Sequence, residues 1–441
     1  MVVMSVTDPL PLRSSDEPPA ARLHADDFIE LVAASPSSYH AAEEGARRLA
    51  EAGFTQQDEA EEWDASAGGH YLVRDGALMA WWVPEGAGPR SRFRVVGSHT
   101  DSPTFKLKPD PLLNQQGYSQ VGVEVYGGPL LNSWLDRELG VAGRVVTADG
   151  SVHTVRTGPV MRIPQLAIHL DRGVNDGLKL DKQQHTAPLV DLVGGTSVLN
   201  LVADAAEVRP RDVAGHDLVA YPTERGGYFG DFGHFLACSR MDNLTSVHAS
   251  LTALIELAGS GSASTDVAVL AAFDHEEVGS GSRSGAAGPV LEDVLHRTAL
   301  ALGASADQVR AMVSGSSCVS ADAGHAVHPS YGGHHDPVNR PILGGGPLLK
   351  INANQRYSTD AVGSALWRRA CAEGGVRTQP FVSNNAIPCG STIGPLTATR
   401  LGMLVVDVGT PLLSMHSARE MCATDDLRDL ALALGGYWRM A

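Results

Sequence analysis

Residues 266–281 read DVAVLAAFDHEEVGSG. The run from Val267 to Phe273 is apolar at every position. A half-exposed strand would alternate, so this one must be covered on both faces. It then stops at four titratable residues, Asp274, His275, Glu276 and Glu277. A buried strand that ends in adjacent glutamates delivers them to the edge of a sheet. In open α/β sheets that edge is where ligands sit.

Three other stretches repeat the pattern. FRVV ends in Gly97-Ser98-His99-Thr100-Asp101, SCVS ends in Ala321-Asp322, and MLVVDVG runs through TPLLSM into His416. The spacing predicts strands at 266–273, 316–320, 348–352 and 403–408. Helical spacing alternates with them. It fills residues 25–53, with an SPSSYH turn between two helices, and it recurs where Leu244, Val247, Leu251, Leu254 and Ile255 share one face. Asp242 stands at the start of that second helix. Strands alternating with helices predict an α/β fold, a mixed sheet sandwiched by helices.

From 106 to 232 the texture changes. Alternating stretches such as VGVEVYGGPLL and VAGRVVTADGSVHTVRTG are punctuated by glycine and proline. They read as β-hairpins, with Asp149-Gly150 a turn. The expected organisation is a disordered leader over 1–24, a discontinuous α/β domain over 25–105 and 233–441, and an inserted β-rich domain over 106–232. The glycine-rich stretch GGHHDPVNRPILGGG (332–346) is a loop, because it lacks the GK[ST] ending of a phosphate cradle.

Composition narrows the function classes. The 441 residues carry a formal charge of −16, spread rather than clustered. Nucleic-acid binding needs a basic stripe and is not expected. The five cysteines are widely spaced with no CxxC, which argues against a disulfide framework and a thiolate metal site. The polar, proline-rich N-terminus lacks a signal-peptide core, and no apolar run reaches membrane-spanning length. A cytoplasmic protein without a membrane partner is expected.

The strand-end residues form a chemical set: His99, Asp242, Glu277, Asp322 and His416, with Glu276 beside them. Imidazole mixed with carboxylate suits two divalent, zinc-like ions. Two ions need one bridging carboxylate, and about three protein ligands each leave room for water. Asp101, two residues past His99, fits a partner that orients the imidazole. Side chains of neighbouring residues diverge at a strand end. Glu277 can then bind metal while Glu276 stays free as a general base. Taken singly, each residue has a plainer reading. Asp242 is an N-cap, Glu276-Glu277 a solvated turn, and the histidines hydrogen-bonded and partly buried. The coincidence at strand ends carries the metal reading, and spacing alone names no substrate.

Beyond residue 25 the chain resembles the M18 metallopeptidases, the aspartyl aminopeptidase family. The resemblance rests on SPSSYHAAEEGARRLAEAGF, GSHTDSPTFKLKP, GGPLLNSWLDRELGVAGRV, IPQLAIHLDR, SRMDN, FDHEEVGS, SADAGHAVHPSY, KINANQRY, PCGSTIGP and MHSAREM taken together. It implies that His99, Asp242 and Asp322 bind one zinc and that Asp242, Glu277 and His416 bind the other, with Asp242 bridging. Cobalt or manganese are alternatives. It implies Glu276 as general base and then proton donor to the leaving amine, and Asp101 as partner of His99. His325, Lys350 and Tyr357 match residues that contact substrate. Lys350 is the cation expected to select acidic N-terminal residues, although some family members prefer neutral ones.

His169 lies in LAIHL, and its apolar neighbours alone suggest a core histidine. The resemblance implies instead that it reaches a neighbouring subunit's active site from a domain that pairs subunits. It also implies a homo-oligomer, with dodecamers known in the family. His328, His334 and His335 are taken as loop residues. Gly324 and Ser330 depart from the usual family motif without touching the ligand set. The expected activity is removal of the N-terminal residue from peptides with a free amine. The alternatives are a related dimetal deacylase or carboxypeptidase, and a scaffold that has lost its chemistry.

Overall fold

The computed structural model describes residues 19–260 and 264–440. Residues 1–18 of the expected leader lie outside them. The helix Pro19–Ala34 begins inside the stretch assigned to that leader. Its apolar positions Ala25, Phe28, Leu31 and Val32 recur at helical spacing and are buried in the main core. That burial is what orders the segment. A second helix, Ser38–Glu51, follows the SPSSYH turn, and Ser37 caps its N-terminus.

Nine strands form the central sheet. Their spatial order is Thr55–Gln56, Gly68–Arg74, Ala77–Val83, Val267–Phe273, Phe93–His99, Ser317–Ala321, Leu404–Gly409, Leu348–Ile351 and Gln379–Val382. The four in the middle, from Val267–Phe273 to Leu404–Gly409, are mutually parallel. Antiparallel neighbours flank them on both sides.

The opening stretch explains itself in this setting. Val267, Val269, Ala271 and Phe273 pack into one core, and Ala268, Leu270 and Ala272 pack into the opposite one. The helices Val290–Ala301 and Ala306–Ser314 cover the first face, and Pro19–Ala34, Met241–Ser260 and Thr424–Arg439 cover the other. Period-two side chains on a doubly covered strand give a continuous apolar run.

Residues 104–222 build a second sheet of seven strands. Its strand Val213–Pro222 pairs with both Thr104–Gln115 and Glu138–Thr147, so the sheet returns on itself. It has its own core around Phe105, Trp134, Val141 and Leu218. The hairpin from Glu138–Thr147 to Val152–Arg156 turns at Asp149-Gly150, and Gly150 takes the positive φ of 89° that the turn needs. Residues 227–229 leave this sheet. The strand Gly227–Phe229 joins Phe235–Cys238 and Glu420–Ala423 in a separate three-stranded sheet. Among the described residues no helix is long and apolar enough to cross a membrane.

Parallel strands share one carboxyl edge, and that edge is tightly built. A Cβ on Gly409 would lie 1.6 Å from the carbonyl oxygen of Asp322. Backbone cannot yield as a side chain can, so Gly409→Ala must displace the strand end that carries Asp322. We expect a loss of about 1–3 kcal/mol in denaturant unfolding. A wild-type value would remove the steric argument.

Candidate metal centre

Each strand of the parallel core contributes at its end. Phe93–His99 terminates in His99. Val267–Phe273 passes into a short turn holding Glu276 and Glu277, preceded by His275 at φ 63°. Ser317–Ala321 leads directly to Asp322. After Leu404–Gly409 the chain folds over the edge to His416, which sits at φ 66°. Asp242 comes from the opening of the helix Met241–Ser260. There Asp242 and Asn243 depart from helical angles, and the regular turns begin after them.

The five expected ligands converge. His99 Nε2 lies 3.4 Å from Asp242 Oδ1 and 3.6 Å from Asp322 Oδ1. His416 Nε2 lies 3.4 Å from Asp242 Oδ2 and 3.5 Å from Glu277 Oε2. The two oxygens of Asp242 thus face different imidazoles. His99, Asp242 and Asp322 form one cluster fit to hold a metal, and Asp242, Glu277 and His416 form another. His99, Glu276 and Glu277 also come close enough to do so.

Those separations exceed a good N–H···O bond. They match the edge of a tetrahedron about 2.1 Å in radius, roughly 3.4 Å, as donors around zinc would have. Asp242 Oδ1 and Glu277 Oε1 are buried and have no hydrogen-bond partner. Unpaired buried carboxylate oxygens are costly unless a cation satisfies them. The donor set therefore fits two divalent ions.

Electrostatics point the same way. Asp101, Asp242, Asp322 and Glu420 are buried within this small volume. Burial raises Glu276 to about 7, and Asp322, Asp242 and Asp101 add to the rise while His99 opposes it. Glu277 is pushed well up by burial and by Asp242. Burial disfavours a charged His416, but Asp242 and Glu277 override it and raise the imidazole to about 10. Crowded carboxylates that inflate each other's proton affinity make a strong cation site.

Asp101 does more than its spacing suggested. His99 Nδ1 lies 3.0 Å from the Asp101 carbonyl oxygen and 3.3 Å from its Oδ1. Its carboxylate also accepts the backbone N–H of Glu276 and of Glu277, each at 3.1 Å, and the Tyr126 hydroxyl at 2.8 Å. One residue, through its carbonyl and its carboxylate, fixes an imidazole and the turn carrying both glutamates.

A cleft of about 1300 Å³, open to solvent, is lined by Asp242, Glu276, Glu277, Asp322 and His416. His325, Lys350 and Tyr357 line the same cleft. Lys350 is 1% exposed, donates to the Ala323 carbonyl at 2.6 Å and lies 3.7 Å from Asp322 Oδ2. Burial raises the Tyr357 phenol well above its usual range, so it stays a neutral donor.

His169 does not join them within one chain. It lies exposed in a turn between Ile168 and Leu170, themselves 45% and 75% exposed, which excludes a core histidine. His328 and His335 bond within their own loop, outside the cluster. Spacing did not single out Tyr126 or Glu420. Glu420 lies inside the MHSAREM motif, four residues after His416, and that was the available signal.

A mixed sheet whose parallel central strands end in two carboxylate–imidazole clusters beneath an open cleft defines a metal-dependent hydrolase. The family described as "Aminopeptidase I zinc metalloprotease (M18)" matches residues 31–438. The chain belongs to that family and is a metalloaminopeptidase. A Streptomyces avermitilis protein named "Probable M18 family aminopeptidase 2" is 52% identical over 421 residues, covering 94% of this chain and 98% of its own length. The chain solved in the cryo-EM structure of the Ape4 and Nbr1 complex superposes with a TM-score of 0.90 at 34% identity, covering 95% of this chain and 86% of that one. The S. cerevisiae mApe1 dodecamer gives 0.82 at 27% identity, covering 95% and 97%.

Proposed function

We propose that the chain removes the N-terminal residue from peptides at a centre of two divalent cations, zinc first among the candidates, with Glu276 as general base. The observation that carries this reading is Asp242, whose two oxygens each face a different imidazole at 3.4 Å. His99, Asp242 and Asp322 would hold one ion, and Asp242, Glu277 and His416 the other. Bound there, the ions would polarise the scissile carbonyl and acidify a water.

The chain's own groups do the rest. Glu276 takes the proton from that water and passes it to the departing amine. Its backbone is tied to Asp101, so the carboxylate is aimed while it remains available for protons. Tyr357, neutral and on the cleft wall, donates to the developing oxyanion. Asp101 keeps His99 in register. His325 contacts the substrate.

Lys350 is the pocket cation for an Asp or Glu side chain. One of its three protons goes to Ala323, which leaves donors for a ligand. Lys350→Ala should cost about 30-fold or more in kcat/KM on Asp- and Glu-peptides beyond any loss on Leu- or Met-peptides. Its closeness to Asp322 predicts a smaller loss common to all substrates. An equal loss on every peptide would remove Lys350 from specificity.

The β-rich sheet of residues 104–222 is the proposed pairing domain. The exposed turn of Ile168, His169 and Leu170 would present His169 to the cleft of a second copy, in an assembly like the solved mApe1 dodecamer. A chromogenic peptide panel tests the whole reading. Free-amine peptides should turn over, N-blocked ones should not, and a chelator should abolish activity that zinc restores. Hydrolysis of blocked peptides would favour a deacylase, release of C-terminal residues a carboxypeptidase, and no turnover a scaffold.

A further inference from the structure

We infer that Glu420 is a positioning residue of the metal centre, a clamp that fixes the spacing of two ligands through their backbones. The inference rests on the two-cation reading above. Glu420 is 2% exposed. Its Oε2 accepts the backbone N–H of Asp242 at 3.1 Å, and its Oε1 accepts the backbone N–H of His416 at 2.7 Å. Asp242 and His416 are far apart in sequence, yet one carboxylate holds both main chains.

The fold prepares this contact. Phe235–Cys238 and Glu420–Ala423 pair antiparallel, with Cys238 opposite Glu420. Asp242 lies four residues after Cys238, and His416 lies four before Glu420. Both ligands therefore leave the same end of one strand pair, and the Glu420 side chain spans the gap between them. His416 also needs holding. A non-glycine residue at φ 66° costs of order 1–3 kcal/mol and persists where its surroundings impose it. The bond from its N–H to Glu420 and the contact of its Nδ1 with the Gly128 carbonyl at 3.0 Å impose it here.

Glu420 makes no ion pair with any described side chain. A buried carboxylate without a cationic partner is unfavourable by itself. Two cations at the neighbouring centre would answer its charge. Asp101 does for Glu276 and Glu277 what Glu420 does for Asp242 and His416, accepting a backbone N–H from each. Two carboxylates thus fix the backbones of four site residues.

The test compares the full-length wild type with Glu420→Gln, Glu420→Asp and Asp426→Asn. Glutamine offers one acceptor oxygen and turns a donor toward the other N–H. Aspartate keeps the charge but is one methylene too short to reach both. Asp426 is the control, a fully buried carboxylate that also accepts two backbone N–H groups, from Gly344 and Gly346, away from the ligands. Zinc content is measured by elemental analysis. Zinc affinity is measured by competition with a chromophoric chelator, at a temperature where circular dichroism shows every variant folded.

We expect two zinc ions per wild-type chain. Both Glu420 variants should hold at least one of them about 10–100-fold more weakly, and Asp426→Asn should match wild type. Affinity for the folded state separates the clamp from mere stability, which would move only the melting temperature. Should both Glu420 variants retain two ions at wild-type affinity, or the Asp426 control weaken as much, the clamp is wrong and the metal centre stands. Fewer than two ions on wild type would instead overturn the two-cation reading itself.

Discussion

Replacing Glu276 with glutamine should leave both cations bound and lower kcat by about 10²–10⁴-fold, the usual contribution of a positioned general base. The geometry makes the substitution clean. The N–H of Glu276 donates to Asp101 through the main chain, and a glutamine there keeps that bond. Glutamine is also nearly isosteric, so the turn carrying Glu277 should not move. What it lacks is a carboxylate that can accept a proton. Elemental analysis should find wild-type metal content, and KM should change far less than kcat. Wild-type turnover would show that another group takes the proton. Loss of one ion would show that Glu276 is itself a ligand, as its approach to His99 and Glu277 allows.

Asp242→Asn should be the most damaging single change. The carboxylate is 4% exposed and stands between His99 and His416. An amide offers one acceptor oxygen and one NH₂ group, and it removes a negative charge from between the two clusters. Burial alone would raise the Asp242 carboxyl, yet His416 and His99 hold it well below the usual carboxylate range. The variant should bind at most one ion per chain and lose at least about 10³-fold in kcat. Removal of one preorganised electrostatic group already costs about 10²–10³. Asp242 N–H bonds to Glu420 through the main chain, so the fold should survive. Two tightly bound ions in Asp242→Asn would mean that another group bridges them.

Much of the fold was legible because burial writes periodicity into sequence. The continuous apolar run at 267–273 required a doubly covered strand, and the two cores on either side of the sheet supply that cover. The alternating, glycine-punctuated texture required hairpins, and the Asp149-Gly150 turn formed as expected. The helix starting at Pro19 was harder to see. Its charged and proline-rich flank resembles a tail, and only packing of Phe28 and Leu31 against distant helices makes it ordered. The place of Gly227–Phe229 was not legible either, because it pairs with Phe235–Cys238, which pairs in turn with Glu420–Ala423. Strand pairing across such distances leaves no local trace.

By itself the sequence determined the chemical alphabet of the site: which strands end in His, Asp or Glu, and that the set mixes imidazole with carboxylate. It could do so because residue type and strand period are local properties. Only the tertiary structure decided which oxygen of Asp242 meets which imidazole, that Lys350 is engaged with Ala323 and Asp322, that His169 stands apart from its own chain's cleft, and that Glu420 joins the backbones of Asp242 and His416. Those facts depend on the register and common direction of strands far apart in the chain, which are fixed by packing across the whole sheet rather than by any short run of residues.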